Sequence, residues 1–561
     1  MTYEIQPTSD QQRTTNRQWI ILLLILLLAA SLRLFKLGQI SPPGLNQDEA
    51  QNAWTAQCLI KTGKDPAGVS WPIFYTRGLG DNSPILYIYL LIPFQALGGM
   101  NAFTTRLPGA LGGIFTIWMI YFVAKRLFDT PTGLAAAAIL TLNPWHLQQS
   151  RWGHEASINP LLGLAPLALM LWAGLPISNN KTITLRPVIA AVGGALAGTA
   201  CYGYQAVRLF IPGFLLAIVL FTLSNWLQTL KTRKGILAIS AFIITFAAAF
   251  GPLAYQHVFH PEGIGRHISH QPHWVGSATL WESVTNIIPR YIQHFGPDFM
   301  FIKGDHFVIQ GPPVGGQFHW YELPLMLVGL AGLTRKFKSS LSHRIVLAFV
   351  LAYPVGDCFG WNILSIHSLR SAPGLCGLIL LSAVGVINIA NWLSKQNRNL
   401  ALTTIILFAS AIVGLNMRFF YHFYGEFNRR PEIFLYYHTD FVDACKWLKP
   451  RFDDFDAVFC TTEDLNMPYV VSLVALNYDP NRWFNEPKDF YTKGEFDYYT
   501  RYGKMYFMYK DHFNPPEEQY LAGRVLLIIR PGEIDISDPQ RQIIHKISRP
   551  DGIVTLCLCR I

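Results

Sequence analysis

Long apolar runs, separated by short basic clusters, fill most of this chain and leave it few ways to fold. A helix crossing the hydrocarbon of a bilayer needs about 20 mostly apolar residues, fewer when interfacial residues flank it. The runs that qualify are 19–34, 84–99, 106–124, 133–147, 158–175, 187–204, 208–224, 235–255, 321–334, 343–357, 371–392 and 400–417. Charged residues make up only 14% of the chain, against about 25% in an ordinary soluble domain. The deficit lies in this part, and the residues after 417 have the composition of a soluble protein. The sequence therefore predicts a polytopic α-helical membrane protein with an appended C-terminal soluble domain.

Basic residues beside the spans set their direction, because cytoplasmic loops carry the excess of Lys and Arg. Arg13 and Arg17 place residues 1–18 in the cytoplasm. Lys125-Arg126, Lys181 with Arg186, Lys231-Arg233-Lys234, Arg335-Lys336-Lys338 and Lys395 with Arg398 all fall on that side only if 84–99 does not cross. That segment opens with Pro84 and contains Pro93, which suits a helix lying along the outer surface. Eleven spans result, making 19–417 one membrane module with outer loops at 35–105, 148–157, 256–320 and 358–370, and an outer domain at 418–561. The expected location is the inner (plasma) membrane. The first run ends at Arg33 and Lys36, so we read it as a retained span rather than a cleaved signal peptide. In 418–561, strand-like runs (456–460, 525–529, 553–559) alternate with helical ones (440–448, 465–476), which predicts a small α/β domain. The formal charge of +10 follows from span-flanking Lys and Arg, which argues against nucleic acid as a partner. Eight scattered Cys without a C-x-x-C pair indicate neither a disulfide framework nor a zinc site.

Acidic and cationic residues gather in the outer loops. The first contains Ser41-Pro42-Pro43-Gly44-Leu45-Asn46-Gln47-Asp48-Glu49 and the second Ser150-Arg151-Trp152-Gly153-His154-Glu155. Eleven spans put Asp48, Glu49 and Glu155 on one face, where a carboxylate can deprotonate an acceptor hydroxyl or hold a divalent ion. The bland readings are a solvated Asp-Glu pair and an Arg151–Glu155 pair four apart on a helix surface. Arg106, Arg208, His367 and Arg370 also fall at the outer interface, against the positive-inside preference, where they suit a phosphate leaving group. Their bland reading is pairing with loop acids or snorkelling to headgroups. The loop histidines His257, His260, His267, His270, His273, His294, His306 and His319 match no zinc spacing. The Gly-rich stretch 304–317 lacks the strand and Lys of a nucleotide-binding P-loop, so a nucleotide-sugar donor is unsupported.

Asp48-Glu49, Arg106-Leu107-Pro108-Gly109-Ala110-Leu111, Lys125-Arg126-Leu127-Phe128, Ser150-Arg151 with a later acid, Gly304-Asp305, Glu322-Leu323-Pro324 and His367-Ser368-Leu369-Arg370 together resemble the protein O-mannosyltransferases and lipid A aminoarabinose transferases. These are GT-C glycosyltransferases, and the likeness covers roughly 19–395. It implies an inverting transfer from a polyprenyl-phosphate-linked sugar to a glycan, lipid or protein acceptor at the outer face. By the same likeness Asp48 is the base or metal-proximal carboxylate, Glu155 the second-loop acid, and the outer Arg residues hold the lipid phosphate. No cofactor is certain, and a divalent metal beside Asp48 is the one candidate. Family members often carry a Lys before the Pro that starts the interfacial helix, whereas here the stretch is Asp81-Asn82-Ser83-Pro84. The rival reading is a multi-span transporter or lipid flippase, which would favour ionisable residues at mid-span and repeated halves. The candidate spans hold almost no ionisable residues, and no internal repeat is visible.

Overall fold

Asn and Asp caps, with Pro breaks, decide where several of the apolar runs become helix. The computed structural model describes residues 9–79, 82–176, 185–259, 279–359, 366–493, 496–509, 523–533 and 542–560. Helix α1 covers Ser9–Leu34 and α2 Gln47–Thr62. The short strands β1 (Tyr75–Arg77) and β2 (Asn82–Pro84) form an antiparallel pair that leads into α3, Ile85–Gly98. Then follow α4 (Ala102–Leu127), started by Asn101, and α5 (Thr130–Leu142), started by Asp129. The expected 133–147 run is cut after α5: Pro144 has no N–H to continue the ladder, and Asn143 accepts from the His146 N–H (2.9 Å) to begin α6, Pro144–Gln149.

Next come α7 (Asn159–Ala173), α8 (Pro187–Ala200), α9 (Gln205–Phe221), α10 (Leu223–Thr229), α11 (Arg233–Phe259) and α12 (Leu280–Gln293). The bundle closes with α13 (Glu322–Arg335), α14 (Leu341–Ala352), α15 (Leu375–Leu393) and α16 (Arg398–Tyr424). Seven described helical segments are long and apolar enough to cross a membrane, or eight if α9 and α10, bent by 85°, make one span. The other expected spans rest on α5, α8 and α13, which have 13, 14 and 14 residues. Each rises about 20 Å, short of a hydrocarbon core of about 30 Å. The 84–99 run, expected to lie along the outer surface, is the 14-residue helix α3 and packs on α2, where Gln95 Nε2 donates to the Ala53 carbonyl (2.8 Å). Helices α13 and α15 cross with their backbones touching. A Cβ at Gly385 would lie 1.9 Å from the Leu325 carbonyl oxygen, the small-residue contact that lets membrane helices approach closely.

The loops expected on the outer side meet at one end of the bundle. Arg151 reaches the turn after α1, Gln148 Nε2 donates to the Ile309 carbonyl (2.9 Å), and the Ser368 N–H donates to Asp305 Oδ2 (2.6 Å). The C-terminal domain is seated on this same end. Its seven-stranded sheet is built from β3 (Ala457–Thr461), β4 (Lys488–Lys493), β5 (Phe496–Tyr502), β6 (Met505–Met508), β7 (Val525–Ile529), β8 (Gln542–Ser548) and β9 (Val554–Arg560), in the order β4-β5-β6-β3-β7-β9-β8. The central strands β6, β3 and β7 run parallel and the outer ones antiparallel. Helices α17 (Thr439–Leu448), α18 (Pro468–Ala475) and α19 (Pro480–Asn485) complete it. The domain shares its core with α2: Trp54 meets Trp483 edge-on at 6.0 Å, and the Trp483 Nε1–H donates to the Pro66 carbonyl (3.2 Å).

Candidate active site

The first turn of α2 divides the adjacent carboxylates Asp48 and Glu49 into two roles. Asn46 caps the helix by accepting from the Glu49 N–H (2.8 Å), which turns Glu49 inward. There its Oε1 and Oε2 accept from Nε and an Nη of Arg106 at 2.7 and 2.8 Å, and Oε1 also accepts from the Gly153 N–H (2.8 Å). Arg106 spends its remaining donors on the carbonyls of Pro42 (2.8 Å) and Gly44 (2.9 Å). Both side chains are wholly buried. A Cβ on Gly153 would sit 2.8 Å from Thr105 Cγ2 and 3.2 Å from Glu49 Oε1, so only glycine lets the second loop approach this closely. The expectations that Glu49 reacts and Arg106 binds substrate are therefore corrected: the pair is a buried tie between the first loop, α4 and the second loop.

Arg151 is corrected in the same way. Its guanidinium donates to the carbonyls of Ser41, Leu32, Arg33, Phe35 and Ile40 at 2.8–3.1 Å, covering the C-terminal end of α1. All five of its N–H groups are spent on these carbonyls, and Glu155 is not among its partners. Arg208 donates to the Cys201 carbonyl (3.0 Å) and meets His257 Nε2 (3.0 Å), outside the cavity described next. His367 is also held elsewhere, its Nδ1 3.1 Å from Gln310 Oε1 and its ring stacked on Phe307 at 4.9 Å.

Asp48, about 100° round the same helical turn, lines a cavity of about 160 Å³ together with Glu155, His154, Tyr204 and Arg370. Three of the sequence-selected residues, Asp48, Glu155 and Arg370, thus come together, from helices or loops far apart in the chain. Asn52, one helical turn beyond Asp48, donates its amide to Glu155 Oε2 (3.2 Å) and to the Gly153 carbonyl (3.2 Å), fixing the second acid. His154 Nδ1 accepts from the Ala156 N–H (3.0 Å), so the ring proton sits on Nε2. Arg370 shares the cavity lining with Tyr204 and lies 4.0 Å from Asp357 Oδ1. Asp357 in turn takes Arg290 (2.9 Å), His294 (3.0 Å) and the His367 N–H (2.9 Å). This buried support was missed in the sequence, where Asp357 is a lone acid at the end of an apolar run. His260, His267, His270 and His273 lie outside the described residues. Among the described residues no three His, Cys, Asp or Glu side chains group as metal ligands. Asp48 and Glu155 are the two carboxylates that line the cavity.

A latch beside the cavity titrates in two opposing ways. Burial, aided by Arg370, pushes the His367 imidazole down to about 4 from 6.5. Burial pushes Asp305, which accepts from the Phe307 (2.9 Å) and Ser368 (2.6 Å) N–H groups, up to about 6 from 3.8. His367 contributes stability that is complete above 6.5 and lost as pH falls through 4, while Asp305 contributes stability that is complete below 3.8 and lost as pH rises through 6. The two offset in the wild type. His367→Gln leaves the carboxylate alone, so the opening free energy of 304–310 and 366–370, measured by amide exchange, should fall as pH rises between these limits. A flat profile in that variant would contradict the assignment.

The chain is similar to several known proteins. Residues 82–250 match the family described as dolichyl-phosphate-mannose-protein mannosyltransferase, a segment holding Arg106, Glu155 and Arg208. The whole chain superposes on the ArnT of Cupriavidus metallidurans bound to undecaprenyl phosphate, with a TM-score of 0.53, 11% identity, and 97% of this chain and 98% of that one covered. The chain shares the fold of that protein. These matches are similarities to the mannosyltransferase and aminoarabinose transferase group, the group the sequence resembles. Among curated relatives, it is 22% identical over 293 residues to the dolichyl-phosphooligosaccharide-protein glycotransferase 2 of Pyrococcus furiosus, covering 51% of this chain and 35% of that one. It is 31% identical over 133 residues to the undecaprenyl phosphate-alpha-4-amino-4-deoxy-L-arabinose arabinosyl transferase 1 of Pseudomonas fluorescens, covering 24% of this chain and 21% of that one. The matches thus span about a third and a fifth of the lengths of these two relatives. In this chain the cavity lies at the end of the bundle that carries the sheet domain.

Proposed function

We propose that the chain transfers a sugar from a polyprenyl-phosphate donor to a glycan, lipid or protein acceptor, at the outer face of the inner membrane. The observation that carries this reading is the meeting of Asp48, Glu155 and Arg370 in one cavity at the end of a helical bundle. The undecaprenyl phosphate held by the Cupriavidus relative and the lipid-linked sugars named for the others support the donor class. The basic clusters support an orientation with the N-terminus cytoplasmic and the sheet domain outside.

The lipid tail stays in the bilayer and its phosphate lies at the cavity beside Arg370. The acceptor hydroxyl gives its proton to a carboxylate oxygen of Asp48 as its oxygen bonds to the sugar C1. The bond from C1 to the phosphate oxygen breaks on the opposite side, so the electron pair leaves on the polyprenyl phosphate and the anomeric centre inverts. Arg370, steadied by Tyr204 and Asp357, faces the negative charge that develops there. Glu155, steadied by Asn52, orients sugar or acceptor hydroxyls. A transporter would place its ionisable groups at mid-span, and here they cluster at one end.

Arg370→Ala should lower kcat/KM about 10²- to 10³-fold, the cost of removing one preorganised donor from a developing anion, with Arg370→Lys recovering part of it. The check is the initial rate of polyprenyl phosphate release from a polyprenyl-phosphate sugar. A wild-type rate in Arg370→Ala would remove the phosphate from this position.

A further inference from the structure

A second and larger cleft, of about 650 Å³, opens where the C-terminal domain meets the membrane module. It shares no lining residue with the cavity around Asp48. Between the two stands the segment Pro42–Leu45, whose Pro42 and Gly44 carbonyls are held by buried Arg106. A ligand in the second cleft therefore does not reach the reacting groups.

The cleft is amphiphilic, and its two halves come from different parts of the chain. Leu37, from the turn after α1, and Met100 and Phe103, from the start of α4, form an apolar wall. Both helices have this end where a bilayer-crossing segment must reach the headgroups. Beside the cleft Phe103 is 44% exposed and Leu97 is 91% exposed, a pair of apolar side chains facing outward at that level. The facing wall comes from the soluble domain, with Val442 and Lys446 on α17 and Lys449 just after it. The Asp443 partner of Lys446 stands at 2.9 Å, with both side chains about half or more exposed, so the pair is worth little against a phosphate. At the back, the buried Oγ1 of Thr439 has no hydrogen-bond partner.

We propose that this cleft seats one anionic phospholipid of the surrounding leaflet, its phosphate at Lys446 and Lys449 and its acyl chains running down past Phe103 and Leu97. Two lysines over an apolar wall that opens at the bilayer surface match a negative headgroup joined to hydrocarbon. A lipid there touches both the spans and α17, so it fastens the domain to the membrane module. This does not depend on the transfer reaction.

The test uses the full chain in mild detergent and in nanodiscs of phosphatidylglycerol or phosphatidylcholine. Native mass spectrometry is expected to find one phosphatidylglycerol retained per chain in preference to phosphatidylcholine, and thermal unfolding a higher midpoint in the anionic nanodisc. Each lysine beside an anionic headgroup contributes about fivefold in affinity, so Lys446→Gln with Lys449→Gln should lower retention about thirtyfold and level the two midpoints. Lys395→Gln with Arg398→Gln, at the far end of the bundle, should change neither. Val474→Trp fills the cleft and should expel the lipid while leaving the lysines in place. Asp48→Asn should keep the lipid, which separates this result from any failure of the proposed reaction. Equal retention of the two lipids, full retention in the double lysine variant, or an equal loss in the far-end variant would each overturn the proposal.

Discussion

Asp48→Asn is expected to lower the transfer rate about 10²- to 10⁴-fold, the range a positioned general base contributes, while leaving the unfolding midpoint and membrane insertion unchanged. The substitution keeps the size of the side chain and removes the proton acceptor. Asp48 lines the cavity and is only half-buried, whereas the neighbouring Glu49 is wholly inside the protein. The two positions should thus separate cleanly: activity is lost at 48 and folding at 49. Initial rates with a polyprenyl-phosphate sugar, read beside thermal unfolding in detergent, check both. Undiminished transfer in Asp48→Asn would remove the base from the mechanism.

Removing either partner of the Glu49–Arg106 pair should cost about 3–5 kcal/mol of stability, because the survivor is left as an uncompensated buried charge. Arg106→Met strands the Glu49 carboxylate and also frees the carbonyls of Pro42 and Gly44. Glu49→Leu strands the guanidinium and leaves the Gly153 N–H without its acceptor. The double variant removes both charges and should recover part of the loss. It cannot recover all, since each stranded backbone group still costs about 1–3 kcal/mol. Unfolding midpoints of the two single variants and the double make a complete cycle. A single variant as stable as the wild type would mean that the pair does not tie the loops together.

The positions of the membrane helices were legible because an apolar run has few alternatives, and the sites of α1, α4, α7, α11, α15 and α16 all lie on expected spans. The break at Asn143-Pro144 was not anticipated, since hydropathy averages over a single missing donor. In the C-terminal domain, the expected strands are those buried on both faces or nearly so, β3, β7 and β9. The hairpin β4–β5 was missed because its strands mix Tyr and Phe with charged residues without a clean alternation and stay partly exposed. For the site, charge placement brought Asp48 and Glu155 to one face, but nothing local distinguishes Asp48 from Glu49. The partners that bury Glu49 lie 57 and 104 residues away, and the carbonyls that consume Arg151 lie 110 to 119 residues back. Long-range pairing of this kind has no period and leaves no trace in spacing.

The most direct measurement supplies purified protein with a panel of polyprenyl-phosphate sugars and an extract of envelope acceptors, and follows free polyprenyl phosphate by ³¹P NMR. The account predicts that one donor of this class is consumed, with lipid phosphate appearing mole for mole with product of inverted anomeric configuration. Consumption of a nucleotide sugar instead, or product with the donor's anomeric configuration retained, would contradict it.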